Sequence, residues 1–154
     1  MSSRLTPCAY LVAFLLIAIP FFDASMSVAP WHLGSAQWRF GAVGLLSNAL
    51  MIPAAGALIA VVTAVTYNHV TTLRVLRVLT WIACATVVLS LALFVLDALQ
   101  TRASIRPDMT MSYQVASLTA ACKLLLGAIT FALFARACRQ NPDGTRARVA
   151  ARRA

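Results

Sequence analysis

Acidic side chains are scarce in this sequence. Its 154 residues hold four Asp+Glu, and all charged residues together make up 11%. A soluble domain carries about 25% charged residues, and a chain this short and this poor in charge cannot hide its apolar surface from water. A water-exposed globular fold is excluded on that ground. No carboxylate falls in the middle of a predicted helix. A proton-coupled exporter of similar size needs one there, so that class is disfavoured. No Walker loop, dinucleotide glycine fingerprint, zinc-protease motif or nucleophile elbow is present. Cys8, Cys84, Cys122 and Cys138 form no C-x-x-C, no metal-ligand spacing and no disulfide framework. They read as small apolar side chains, and a thiol-redox membrane enzyme is disfavoured. His32 and His69 fall on opposite sides of the membrane in the topology below, with no carboxylate or cysteine at ligand spacing, so no metal and no cofactor is expected. The expectation is a chain that is not an enzyme.

What the sequence has in excess is hydrophobic side chains, 61% of the total. They gather in four runs of a length that crosses the roughly 30 Å hydrocarbon layer as helices. The expected fold class is all-α, an integral membrane bundle of four transmembrane helices at about residues 5–22, 40–66, 76–99 and 112–135. Residues 1–135 then form one transmembrane domain, and 136–154 a basic tail expected to be disordered. The second run is long and carries Pro53 near its middle, where a proline removes a helical hydrogen bond and kinks the helix. The first run has a rival reading as a signal peptide: Arg4, an apolar stretch, then Ser25-Met26-Ser27 as a small-x-small cleavage site.

Charge sets the orientation. The net charge is +9 from 13 Lys+Arg. With both termini cytoplasmic, Arg4, Arg74, Arg77, Arg136, Arg139, Arg146, Arg148, Arg152 and Arg153 lie inside, and Arg39, Arg102 and Arg106 outside. Positive residues concentrate on the cytoplasmic side of membrane proteins, so this is the favoured arrangement. The aromatic residues agree, with Tyr10, Tyr67 and Trp81 near one boundary and Trp31, Trp38 and Tyr113 near the other, which makes the three Trp interface anchors. Twelve arginines against the single lysine, with abundant alanine, point to a GC-rich bacterial genome and hence the bacterial inner membrane.

That single lysine, Lys123, is the most informative residue. It lies near the middle of the fourth run, where a lysine costs about 2.5–3.5 kcal/mol on insertion scales and is expected to face a partner rather than lipid. It belongs to a small, polar stripe with Ala116, Thr119, Gly127 and Thr130, at three- or four-residue spacing. Thr86, Ser90 and Asp97 form a similar stripe on the third run. Lys123 is expected to point toward Asp97, or toward Asn48 of the second run, and the three are candidate binding residues. Gly56, Ala60 and Ala64, with Gly127, mark close helix packing of the small-xxx-small kind. Phe22-Asp23-Ala24 and Leu96-Asp97-Ala98 end the first and third runs and hint at duplicated helical hairpins.

With no catalytic constellation, the expected function is that of an accessory or structural subunit of a larger membrane complex. The alternative is a small oligomeric transporter or ligand-binding protein in which Lys123 holds an anionic group. The partners expected are membrane lipids and other membrane subunits or a second copy. Nucleic acid is not expected, because the basic excess sits in a cytoplasmic flank.

Overall fold

Residues 5–102, 105–106 and 109–139 are described in a computed structural model of the chain. They form helices α1 (Leu5–Ser27), α2 (Ala36–Ala49), α3 (Met51–Thr66), α4 (Val70–Arg102) and α5 (Thr110–Ala137), with no strand among the described residues. α1, α4 and α5 are each long and apolar enough to cross a membrane, and α2 with α3 makes a fourth such span, bent by 43°. Arg4, Asp108 and the tail arginines Arg146, Arg148, Arg152 and Arg153 lie outside the described residues.

The four expected runs are all helical, but their ends extend further. α1 continues from the predicted Phe22 to Ser27, past the candidate cleavage sequence. There Ser25 and Ser27 donate their hydroxyls to the Phe21 and Asp23 carbonyls of their own helix, which lets polar residues continue an apolar helix. α2 begins at Ala36 rather than Phe40, because Ser35 caps it: its Oγ accepts from the Trp38 N–H at 3.4 Å. α4 starts at Val70, not Leu76. The gap between the second and third runs shrinks to the turn Tyr67-Asn68-His69.

That turn is a Schellman motif. The N–H of His69 donates to Ala64 O at 3.0 Å and that of Asn68 to Val65 O at 3.2 Å. Asn68 takes the left-handed conformation, φ 55°, which asparagine tolerates far better than a β-branched residue. α3 and α4 are thereby joined as a tight antiparallel hairpin.

The break in the second span lies at Leu50, three residues before Pro53. Proline has no N–H for the carbonyl four residues back, Ala49, and its ring crowds that carbonyl. Pro53 therefore sits comfortably in the first turn of α3, and the helix before it ends at Ala49.

The bend divides the partners of the span. α3 packs chiefly on α1 and also touches α4 and α5, while α2 leans mainly on α4 and α5, and α4 packs along α5. The α1–α3 contact is made by small residues: Gly56 and, on the same face, Ala60 and Ala64 of α3 are buried, as is Ala13 of α1, while Ala57 joins the core between α4 and α5. A Cβ on Gly56 would lie 2.8 Å from the Ala13 carbonyl oxygen. On the other side, Cys84, Val87 and Phe94 of α4 meet Ala120, Leu124, Ala128 and Phe131 of α5. Leu50 closes the join, its side chain occupying the space a Cβ on Gly127 would need.

Candidate functional site

Most polar side chains along the helices satisfy themselves. The hydroxyls of Thr80, Thr86, Ser117, Thr119 and Thr130 all donate to a carbonyl one turn back in their own helix, a pattern that removes their need for a partner. The stripes of α4 and α5 are thus less polar than their composition implies. Among the described residues, side-chain pairs join different segments at three places.

The first joins Asp97 to Arg39. Asp97 is 3% exposed and accepts two hydrogen bonds from the guanidinium, from Nε at 2.9 Å and Nη2 at 2.7 Å. Nη1 donates to the Leu33 carbonyl at 2.7 Å. This fork ties the 28–35 loop, α2 and α4 together, the bidentate geometry for which arginine is suited. Beneath it Phe40 stacks between Phe94 and Tyr113, with ring centroids 4.8 and 5.0 Å away, and Tyr113 donates to the Ala98 carbonyl at 2.7 Å. The expectation that Lys123 points to Asp97 is corrected by this pair. Arg39 stands at the depth of Asp97, and the Lys123 ammonium meets Asn48, the second partner expected for it, nine residues further along α2, about 2.5 turns of helix deeper.

The second link involves Lys123 and Asn48. The ammonium donates to Asn48 Oδ1 at 2.7 Å. Asn48 is exposed at the α3 end of α2 and Lys123 half-buried midway along α5, so the pair lies on the outside of the bundle, near the join of α2 and α3. Arg39–Asp97 is the one ion pair among the described residues, which leaves Lys123 with an amide and no carboxylate. A groove of about 390 Å³ runs from the pair along the α2–α5 seam, lined among others by Gly41, Gly44, Asn48, Ala116, Thr119 and Lys123, with Phe40 and Phe94 in its floor. A Cβ on Gly41 or Gly44 would meet nothing within 4 Å.

The third link stands at the other end of the bundle. The Tyr10 hydroxyl and His69 Nδ1 share a hydrogen bond at 3.0 Å, and the Tyr10 and Tyr67 rings both stack on the imidazole. No pattern along the chain signals this: a histidine in a connecting turn reads as solvated, and its partner is 59 positions away. His32 lies in the opposite loop, where its Nδ1 meets the Pro30 carbonyl at 2.9 Å. No group of His, Cys, Asp or Glu that could hold a metal ion occurs among the described residues.

Two further openings flank α2. One, about 590 Å³ between α1 and α2, is lined by Val12, Leu15, Leu16, Ile19 and Ile52, with Asp23 toward one end and Asn48 toward the other. It exists because the bend carries α2 away from α1. The other, about 360 Å³, lies under the 28–35 loop beside His32 and Trp38. Trp31 and Trp38 approach each other at 6.2 Å, and Trp31 and Trp81 are exposed. The four cysteines are free, and the thiol of buried Cys84 donates to the Ala128 carbonyl at 3.5 Å. Burial also pushes up the thiol of Cys138, just beyond α5, against a smaller opposing pull from Arg77.

No protein-family model, curated protein or solved structure matches the chain.

Proposed function

We propose that the chain is a non-enzymatic, multi-pass subunit of a larger membrane assembly, resident in a bacterial inner membrane with both termini cytoplasmic. The observation that carries this reading is the Lys123–Asn48 pair. An ammonium and an amide sit on the outer surface of the bundle, midway along helices apolar enough to span a bilayer. Facing hydrocarbon, such a pair is costly. Facing another subunit, it is a contact.

The described polar groups support a structural role. Arg39, Asp97, Tyr113, Tyr10 and His69 each hold one segment to another. The orientation rests on the nine inward and three outward basic residues, and the bacterial assignment on the arginine- and alanine-rich composition.

The test is extraction from the native membrane in mild detergent, followed by native mass measurement. The expected result is a stoichiometric set of other subunits. Reproducible recovery of the chain alone, as a monomer or homo-oligomer, refutes the subunit reading. It would favour a second one, supported by the 390 Å³ groove beside Lys123: an oligomeric protein that binds an anionic ligand there.

A further inference from the structure

The groove between α2 and α5 carries two matched stripes. On α2, Gly41, Gly44 and Asn48 stand at i, i+3 and i+7. On α5, Ala116, Thr119 and Lys123 repeat the same spacing. Both sets therefore share one face of their helix, and the two faces border one groove. Its sides are small: Gly41 and Gly44 have open space where a side chain would stand. Small residues let another helix backbone come close. At the deep end of the groove stands the ammonium of Lys123, hydrogen-bonded to Asn48 at 2.7 Å.

We infer that this groove seats a transmembrane helix of a different protein, and that the helix carries an Asp or Glu near its middle to pair with Lys123. The inference rests on the subunit reading above and names the surface and the chemistry of the partner. Charge complementarity selects the occupant. Lys123 is 13 residues into α5, about 20 Å along the axis from the start of that helix. A lipid phosphate at either headgroup layer lies further off than a lysine stem reaches. The contact with Asn48 also holds the ammonium at mid-depth instead of letting it snorkel. Of the described carboxylates a second copy would bring, Asp97 is held in its fork with Arg39, and Asp23 opens onto the cleft between α1 and α2 and not onto the α2–α5 groove. The partner thus supplies the acid, and Asn48 with Lys123 supplies a donor-rich socket for it. In a medium without water a paired charge of this kind fixes both register and depth.

The probe is a polyleucine transmembrane peptide bearing one aspartate at its midpoint, with the all-leucine peptide as control. The full chain is reconstituted in phosphatidylcholine vesicles, and association is read by energy transfer between labelled peptide and labelled protein. The aspartate peptide is expected to bind about ten-fold more tightly than the leucine peptide, a difference of 1.4 kcal/mol. Lys123→Met is expected to abolish the difference and Lys123→Arg to keep most of it. Gly44→Leu, which fills the groove and leaves the lysine in place, is expected to weaken binding of both peptides. Thr86→Leu, on an exposed face of α4, leaves both unchanged. Equal binding of the two peptides to the wild-type chain overturns the inference, as does an aspartate preference that survives in Lys123→Met. The two readings fail separately. A native complex that stays intact in Lys123→Met upholds the subunit and refutes this face. A homo-oligomer that dissociates in Lys123→Met refutes the heterologous occupant. A chain isolated alone that still selects the aspartate peptide upholds the face and refutes the stable subunit.

Discussion

Replacing Gly56 by alanine adds one methyl group where α3 comes closest to α1. The new Cβ would lie 2.8 Å from the Ala13 carbonyl oxygen, 3.0 Å from Ile17 Cγ1 and 3.0 Å from Leu16 Cβ. The first of these is backbone and the third is fixed to backbone, so no rotamer change relieves them. α1 must move away from α3 by several tenths of an ångström, which loosens the packing of the small residues one and two turns further along the same face, Ala60 at 5% exposure and Ala64 at 0%. Overpacking of this kind costs about 1–3 kcal/mol, against which alanine returns about 0.5–1 kcal/mol of helix propensity. The net expectation is a loss of stability. Gly41→Ala and Gly44→Ala are the controls, since a methyl group there meets nothing. They are expected to leave the protein within about 1 kcal/mol of wild type, on the stable side. The assay is unfolding in mixed micelles by increasing dodecyl sulfate fraction, followed by the fluorescence of Trp31, Trp38 and Trp81. A Gly56→Ala protein as stable as Gly41→Ala would refute the close α1–α3 approach.

Three other outcomes follow from the geometry. Pro53→Ala restores a donor for the Ala49 carbonyl and is expected to reduce the 43° bend, bringing α2 nearer α1. Spin labels at Leu15 and Leu45, on the two walls of the 590 Å³ opening, would report a shorter separation, and an unchanged one would acquit the proline. Tyr10→Phe removes the bond to His69 and is expected to cost about 0.5–1.5 kcal/mol, read as faster amide exchange at Asn68 and His69 with the α5 amides unaffected. Cys138 is buried and its thiol is held above the ordinary value by that burial, whereas Cys8 is exposed; Cys138 is the less accessible of the two. It is expected to react more slowly with a maleimide, and both are expected to be labelled from the cytoplasmic side.

The helices were legible because apolar runs of spanning length leave the backbone no other way to satisfy its hydrogen bonds in lipid. The break was half legible. Pro53 announces a disturbance, but the disturbance falls where the missing donor is felt, at Ala49 and Leu50, and not at the proline. The polar stripes misled. Composition counts a threonine hydroxyl as a group in need of a partner, whereas Thr86, Thr119 and Thr130 each find one a turn away in their own helix. Asn48 could be named as a possible neighbour of Lys123, while Asp97 could not be ruled out, because the competing claim of Arg39 depends on how α2 lies against α4. The Tyr10–His69 contact left no trace in the sequence at all. It depends on a Schellman turn that only the backbone reveals.

The break at Leu50 also acts as a phase setter. On one side of it, the stripe Gly41, Gly44, Asn48 looks toward the open groove. On the other, Gly56, Ala60 and Ala64 look toward α1. One residue inserted at the join would turn the first stripe by roughly 100° relative to the second, leaving α3 seated on α1 while α2 presents a different face to α5. One span thus serves two clients, and the angular offset between them is written at a single position. A deletion or insertion there would miswire the assembly without unfolding the bundle's α1–α3 half.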